Sequence, residues 1–215
     1  MENDMEKKKP VLFVGNGIAQ RIQIAEKWDR IINDTAKRYG VNISPDILKK
    51  LPYNMQIVAA SDDNVDKAMI GLSERLKSIT LNDEQKAFTK RVLELPFTDI
   101  LTTNYTYELE RSVSDNNTFR CRYQADHKHR ATDMTLFGHI PVGVDGAEKK
   151  IWHIHGHACA PNSVIMGHYF YGKLISRIQS YIHQMLKGWR AAEKYGGDFE
   201  IRSWVDCFMT CDVYM

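Results

Sequence analysis

Three short clusters carry residue types that could do chemistry. The first is Gly15-Asn16-Gly17-Ile18-Ala19, which follows an apolar run and precedes a helical pattern. Glycines at such a turn let the backbone approach a phosphate, and a helix start offers free N–H groups and a positive dipole end. The third glycine of a dinucleotide fingerprint is absent, so an ordinary tight turn stays open. The second cluster is Thr102-Thr103-Asn104-Tyr105, at the end of a β-rich run. Two hydroxyls and an amide there would face a crevice at the carboxyl edge of a sheet, and an Asn can hold a water or a sugar hydroxyl through a donor and an acceptor. A strand-terminal cap is the alternative. The third is His153-Ile154-His155-Gly156-His157. Alternate strand residues share a face, so His153 and His155 should point the same way, and a histidine near neutral pKa at a strand end suits general-base work. The same pair could open a zinc site with His139, His157, Cys159 or His168. No nearby carboxylate completes a hydrolytic site and no second ligand pair has regular spacing, so no metal is expected.

The elements that must position these clusters follow from pattern. Pro10 to Val14 reads as a buried parallel strand. Apolar residues from Gln20 to Tyr39 recur at helical spacing, with Gly40 as the stop. Helix starts at Ser44-Pro45-Asp46, Ser61-Asp62-Asp63 and Asn82-Asp83-Glu84 predict a helical insertion over residues 41–95. Phe97 to Tyr105 reads as the second strand, Tyr107 to Val113 as a short helical stretch, and residues 114–150 as an irregular solvated excursion containing the basic cluster Arg120, Arg122, His127, Lys128, His129 and Arg130. Ile151 to His157 and Ser163 to Gly167 read as the third and fourth strands, and Leu174 to Leu186 as an amphipathic helix. Trp28 and Trp152 are expected in the core. The segment from Ser203 reads as a helix running into a strand at Asp212–Met215, where the chain reads as cut short.

This is an α/β pattern: a Rossmann-like parallel sheet with helices on both faces, an inserted helical lobe, and one domain over residues 10–215 behind a charged leader, residues 1–9. At 215 residues, one sizeable core is the natural reading. Hydrophobic residues make up 43% and charged residues 26%, which is globular usage rather than that of a disordered chain. With 29 Lys and Arg against 27 Asp and Glu, the net charge of +2 does not point to nucleic acid. No stretch reaches the roughly 18 apolar residues of a membrane span. The leader lacks the apolar stretch of a secretion signal, and four cysteines without C-x-x-C pairs suggest reduced thiols in a cytoplasm.

In this order, the Gly15 turn, helical block, Asn104 motif and His155-Gly156 motif resemble the sirtuin-like NAD-binding family, specifically zinc-free bacterial sirtuin-like domains. The Ser163–Gly167 element with His168-Tyr169, and the segment from Ser203 to Met215, add to the likeness, which covers nearly the whole chain from Val11. The resemblance implies that Gly15, Asn16, Gly17, Ile18, Ala19, Thr102, Thr103 and Tyr105 contact NAD, that Asn104 engages the nicotinamide ribose and the attacking water, and that His155 is the catalytic histidine. It implies an NAD hydrolase in bacterial antiviral defence. The alternatives are a non-catalytic NAD or ADP-ribose sensor, a protein deacylase, or an ADP-ribosyl transferase. NAD would be the substrate, the partner a small nucleotide, and a homo-oligomer stays open. The chain departs from the family pattern in lacking zinc-binding C-x-x-C pairs, in carrying Thr106 where an acid usually follows the Asn, and in Ala19 where serine is common.

Overall fold

Alternation along the first strand explains how the sheet is covered. Val11 and Phe13 pack with one hydrophobic cluster while Leu12 and Val14 pack with another, because successive side chains of a strand leave from opposite faces. The computed structural model describes residues 8–25, 27–114, 119–122, 135–195 and 199–215. The charged leader up to Lys7 and the His127–Arg130 part of the basic cluster lie outside the described residues. Strands β1 (Pro10–Val14), β2 (Asp99–Thr102), β3 (Ile140–Val144), β4 (Ala147–His153) and β5 (Asp212–Tyr214) form one sheet in the order β3-β4-β2-β1-β5. β4, β2, β1 and β5 are mutually parallel, while β3 runs antiparallel at the edge. The sheet is therefore mostly parallel, an α/β Rossmann-like arrangement.

Between β1 and β2 lie α1 (Gly17–Arg21), α2 (Trp28–Arg38), α3 (Pro45–Lys50), α4 (Tyr53–Ala60), α5 (Val65–Lys77) and α6 (Asp83–Leu93). Ile32, Ile57, Met69, Leu72 and Leu93 from this group meet Ile100 and Ile151 on one face of the sheet. The opposite face, with Leu101 and Trp152, is covered by α7 (His168–Tyr195) and α8 (Trp204–Thr210) through Tyr181, Trp189, Trp204 and Val205. Each fully covered side chain such as Ile100, Leu101 or Ile151 contributes about 2 kcal/mol of transfer free energy. α7 and α8 are locked by the buried Asp206 carboxylate, which accepts from Tyr181 Oη at 2.8 Å, Trp189 Nε1 at 2.9 Å and the Ser203 backbone N–H at 2.9 Å. Among the described residues, no helix is long and apolar enough to cross a membrane, and the four cysteines are not disulfide-bonded.

Several expectations change. The helix expected from Gln20 to Tyr39 is broken between α1 and α2, where Gln23 takes φ +60° and the Ile22 carbonyl accepts from Gln85 Nε2 at 2.6 Å. That tertiary bond from α6 overrides the local periodicity. Residues 140–153 are a β-hairpin, not part of an irregular excursion; its two-residue turn places Asp145 at φ +50° and Gly146 at φ +83°, as an Asp-Gly turn favours. The strand expected over Ile151–His157 starts earlier and stops at His153. Ser163–Gly167 is no strand: a 3-10 turn over Pro161–Ser163 leads into an extended Val164 and the buried Ile165 and Met166, and β4 already has β2 and β3 on its edges. Only Glu110–Ser112 of the stretch from Tyr107 to Val113 is helical, as a 3-10 turn. Trp152 is core at 1% exposure, but Trp28 is half-buried at a cleft wall.

Candidate functional site

β1, β2 and β4 all release the chain at the same edge of the sheet, the edge where α/β folds gather ligands. The loops after these strands, with α2, α4 and the start of α7, enclose a cleft of about 790 Å³, within the range of small-molecule sites. Asn16, Ala19, Thr103, Asn104, Tyr105 and His155 line it. The remaining sequence candidates do not. Thr102 is 2% exposed and uses Oγ1 to accept the Asn104 backbone N–H at 3.1 Å, while Ile18 packs against the sheet-face core. Gly15 meets the site through its carbonyl, and Gly17 opens α1, which at five residues is a weak dipole. A Cβ built on either glycine would meet nothing within 4 Å, and neither has a positive φ. Neither packing nor backbone conformation therefore requires glycine there.

Asn104 is held on several sides. Its side-chain Nδ2 donates to the Gly15 carbonyl at 3.3 Å and to Glu108 Oε1. A carbonyl and a carboxylate both accept, so the amide orientation is determined and Oδ1 is the end left for a ligand. Glu108, 2% exposed, also accepts from Thr106 Oγ1 at 2.5 Å. Burial pushes the Glu108 carboxyl above its ordinary value against the hydrogen bonds from Thr106 and Asn104, with the nearby Glu110 charge adding to the rise. Thr106 and Glu108 thus both belong to the network that holds Asn104. The four-residue spacing of Asn104 and Glu108 is the signal that the sequence offers, although the segment between them is not helical.

His155 leaves the sheet just after β4. Strand alternation would have put it beside His153, but the chain turns at Gly156, whose N–H donates to the His153 carbonyl at 2.9 Å. Gly156 sits at φ +82°, a conformation that favours glycine. The His155 ring lies edge-on to Tyr171, centroids 5.6 Å apart, and is tilted against Tyr105 at 6.4 Å. Burial holds its pKa below the ordinary value, so the ring is neutral near pH 7 and free to take a proton. The Tyr105 hydroxyl donates to the Ile165 carbonyl at 3.0 Å, and the Ile165 N–H donates to the His155 carbonyl at 2.8 Å, tying the three loops together. Trp28, Tyr53, Ile165, Met166 and Tyr171 complete the walls. None stands out in the sequence as more than ordinary aromatic and apolar usage.

The first histidine of the H-x-H pair turns away from the cleft, 4% exposed, onto Glu110. Among the described residues, no group of three His, Cys, Asp or Glu side chains is placed to share a metal ion.

His157 is also buried, with Nδ1 2.6 Å from Tyr107 Oη and Nε2 2.9 Å from Cys121 Sγ. Burial first, then the His153 and Lys77 charges, hold its pKa down to about 3, against 6.5 when unfolded. Between those values the unfolded chain takes up a proton that the folded chain refuses, so stability present above pH 6.5 is lost as pH falls. From pH 7 to pH 5 the loss is expected to be about 2 kcal/mol. His139, held down to about 4 chiefly by burial, and His155 add in the same direction, whereas the Glu108 carboxyl, raised by burial, offsets part of the loss, and His153, which burial lowers but Glu110 raises further, acts with opposite sign above pH 6.5. Urea unfolding at the two pH values checks this, with a smaller difference expected for His157→Gln; an equal difference in that variant would contradict it.

Comparison with protein-family models and with characterised proteins finds no match to this chain.

Proposed function

We propose that the cleft binds NAD and hydrolyses its nicotinamide–ribose bond, as the resemblance to sirtuin-like NAD-binding domains implies. One observation carries this reading: Asn104 and His155 line one cleft, the first clamped with its Oδ1 left for a ligand, the second neutral and walled by aromatics. The Gly15 carbonyl that anchors Asn104 Nδ2 supports it, because a ligand lying against that backbone would account for a glycine that the fold does not need.

In the proposed reaction, the bond between ribose C1′ and the pyridinium nitrogen breaks with its electron pair going to nicotinamide, which leaves neutral. C1′ gains oxocarbenium character. Asn104 Oδ1 accepts a hydrogen bond from the ribose or from the attacking water, and fixed dipoles of this kind act where charge develops. Water adds to C1′ and gives up a proton to His155, yielding ADP-ribose. Glu108 keeps the Asn104 amide from rotating.

Incubation of the protein with NAD should release nicotinamide and ADP-ribose in equal amounts, at a rate unchanged by EDTA. NAD binding without nicotinamide release would make the cleft a sensor. Loss of release on chelation would instead favour a histidine-ligated metal site.

A further inference from the structure

The histidine that the cleft does not use occupies a costly position. His153 Nδ1 lies 2.7 Å from the Asn104 backbone carbonyl, and its Nε2 lies 2.7 Å from Glu110 Oε1. The two side chains are 2% and 1% exposed. A carbonyl can only accept, and an ionised carboxylate likewise, so the ring that satisfies both carries a proton on each nitrogen. This is a buried ion pair in a place where apolar residues of similar volume would serve stability as well or better. It joins the end of β4 to the 3-10 turn after β2, between the two loops that deliver His155 and Asn104.

We propose that His153 and Glu110 are a positioning pair that fixes the Asn104 peptide, and through it the Asn104 amide, against the substrate ribose. The Asn104 backbone is then gripped on both sides of its Cα, its N–H by Thr102 Oγ1 and its carbonyl by His153, while Glu108 and Gly15 hold the side chain. The inference rests on the NAD reading for its substrate, but not for its geometry. Neither residue touches the reacting atoms; both act through Asn104.

The test replaces the pair by apolar side chains, in the double variant His153→Phe with Glu110→Leu, beside Glu110→Gln. Glu110→Gln can still bond to a neutral His153 ring. If the pair serves only the fold, the double variant melts much lower and its folded fraction turns over normally. As a positioning pair, it should melt near the wild type, while kcat for nicotinamide release from NAD falls about tenfold to a hundredfold and KM stays within about twofold. Glu110→Gln should recover most of that loss. The Asn104 side-chain amide pair in a 1H–15N spectrum, identified by its disappearance in Asn104→Asp, should shift in the double variant. Wild-type kcat in the folded double variant, or an unmoved Asn104 amide signal, overturns the inference. Should the double variant not fold, His153→Gln carries the same readouts. If the wild type releases no nicotinamide, the proposed reaction fails, and the Asn104 amide signal alone decides whether the pair positions it.

Discussion

Gly156→Ala is expected to destabilise the protein by on the order of 4 kcal/mol, the sum of a left-handed backbone penalty and an overpacking penalty. Gly156 sits at φ +82°, and a Cβ built on it would lie 2.0 Å from the Ser163 carbonyl oxygen and 2.7 Å from the Val164 nitrogen. Those are backbone atoms of the segment that walls the cleft, so no side-chain rotation relieves the clash. For a chain of this size the melting temperature should drop by about 10 °C. Gly15→Ala supplies the contrast. Its added methyl meets nothing within 4 Å, so its melting temperature should move little while NAD affinity falls. Thermal melts of the two variants check both expectations; an equal drop in each would contradict the distinction between a glycine the fold needs and one it does not.

That distinction marks how far the sequence was legible. Both glycines were visible as punctuation beside polar clusters. That Gly156 is required by a turn, and Gly15 by nothing within the chain, appears only once the Ser163 segment is seen crossing the His155 loop. β1 and β2 were readable because apolar runs ended in polar residues, and α3 and α6 announced themselves through the caps Ser44 and Asn82; Ser61, expected to start a helix, instead closes α4, and α5 begins at Val65 without a side-chain cap. The β3–β4 hairpin was missed although Ile140, Val142 and Val144 alternate and Asp145-Gly146 is a strong turn pair; the polar, aperiodic stretch before it masked the signal. The break after α1 could not be read locally, since a bond from Gln85 more than sixty residues away holds it.

For the site, the polar ends of two strand-like runs mark Asn104 and His155 in the sequence, and both line one cleft. Period-two reasoning failed at His153, because β4 ends there and the next residues belong to a turn. Glu108 and Glu110 were overlooked because their stretch read as ordinary helix. Only burial reveals that each carboxylate is spent on one end of the Asn104 anchoring network. The aromatic walls, Trp28 from α2 and Tyr171 from α7, come from elements separated by most of the chain, and no local pattern joins them.

Loss of His155 or Asn104 should have the largest effect on turnover. His155→Ala removes the proposed proton acceptor, and general-base contributions run to about 10²–10⁴-fold. Asn104→Ala removes the clamped acceptor and leaves Glu108 buried without one of its donors, so a loss of about 10²–10³-fold is expected, comparable to deletion of a group that stabilises developing charge. His155→Ala should leave NAD affinity nearly unchanged, because the half-buried ring acts on the reaction rather than on the bulk of the nucleotide. Asn104→Ala should weaken it modestly through the lost ribose contact.

The most direct measurement of the central claim is nicotinamide release from NAD by folded wild type, Asn104→Ala and His155→Ala, compared at saturating NAD with the melting temperature of each. The account predicts release by the wild type and a hundredfold or greater loss in both variants without a matching loss of fold. Wild-type release rates in either folded variant would contradict it.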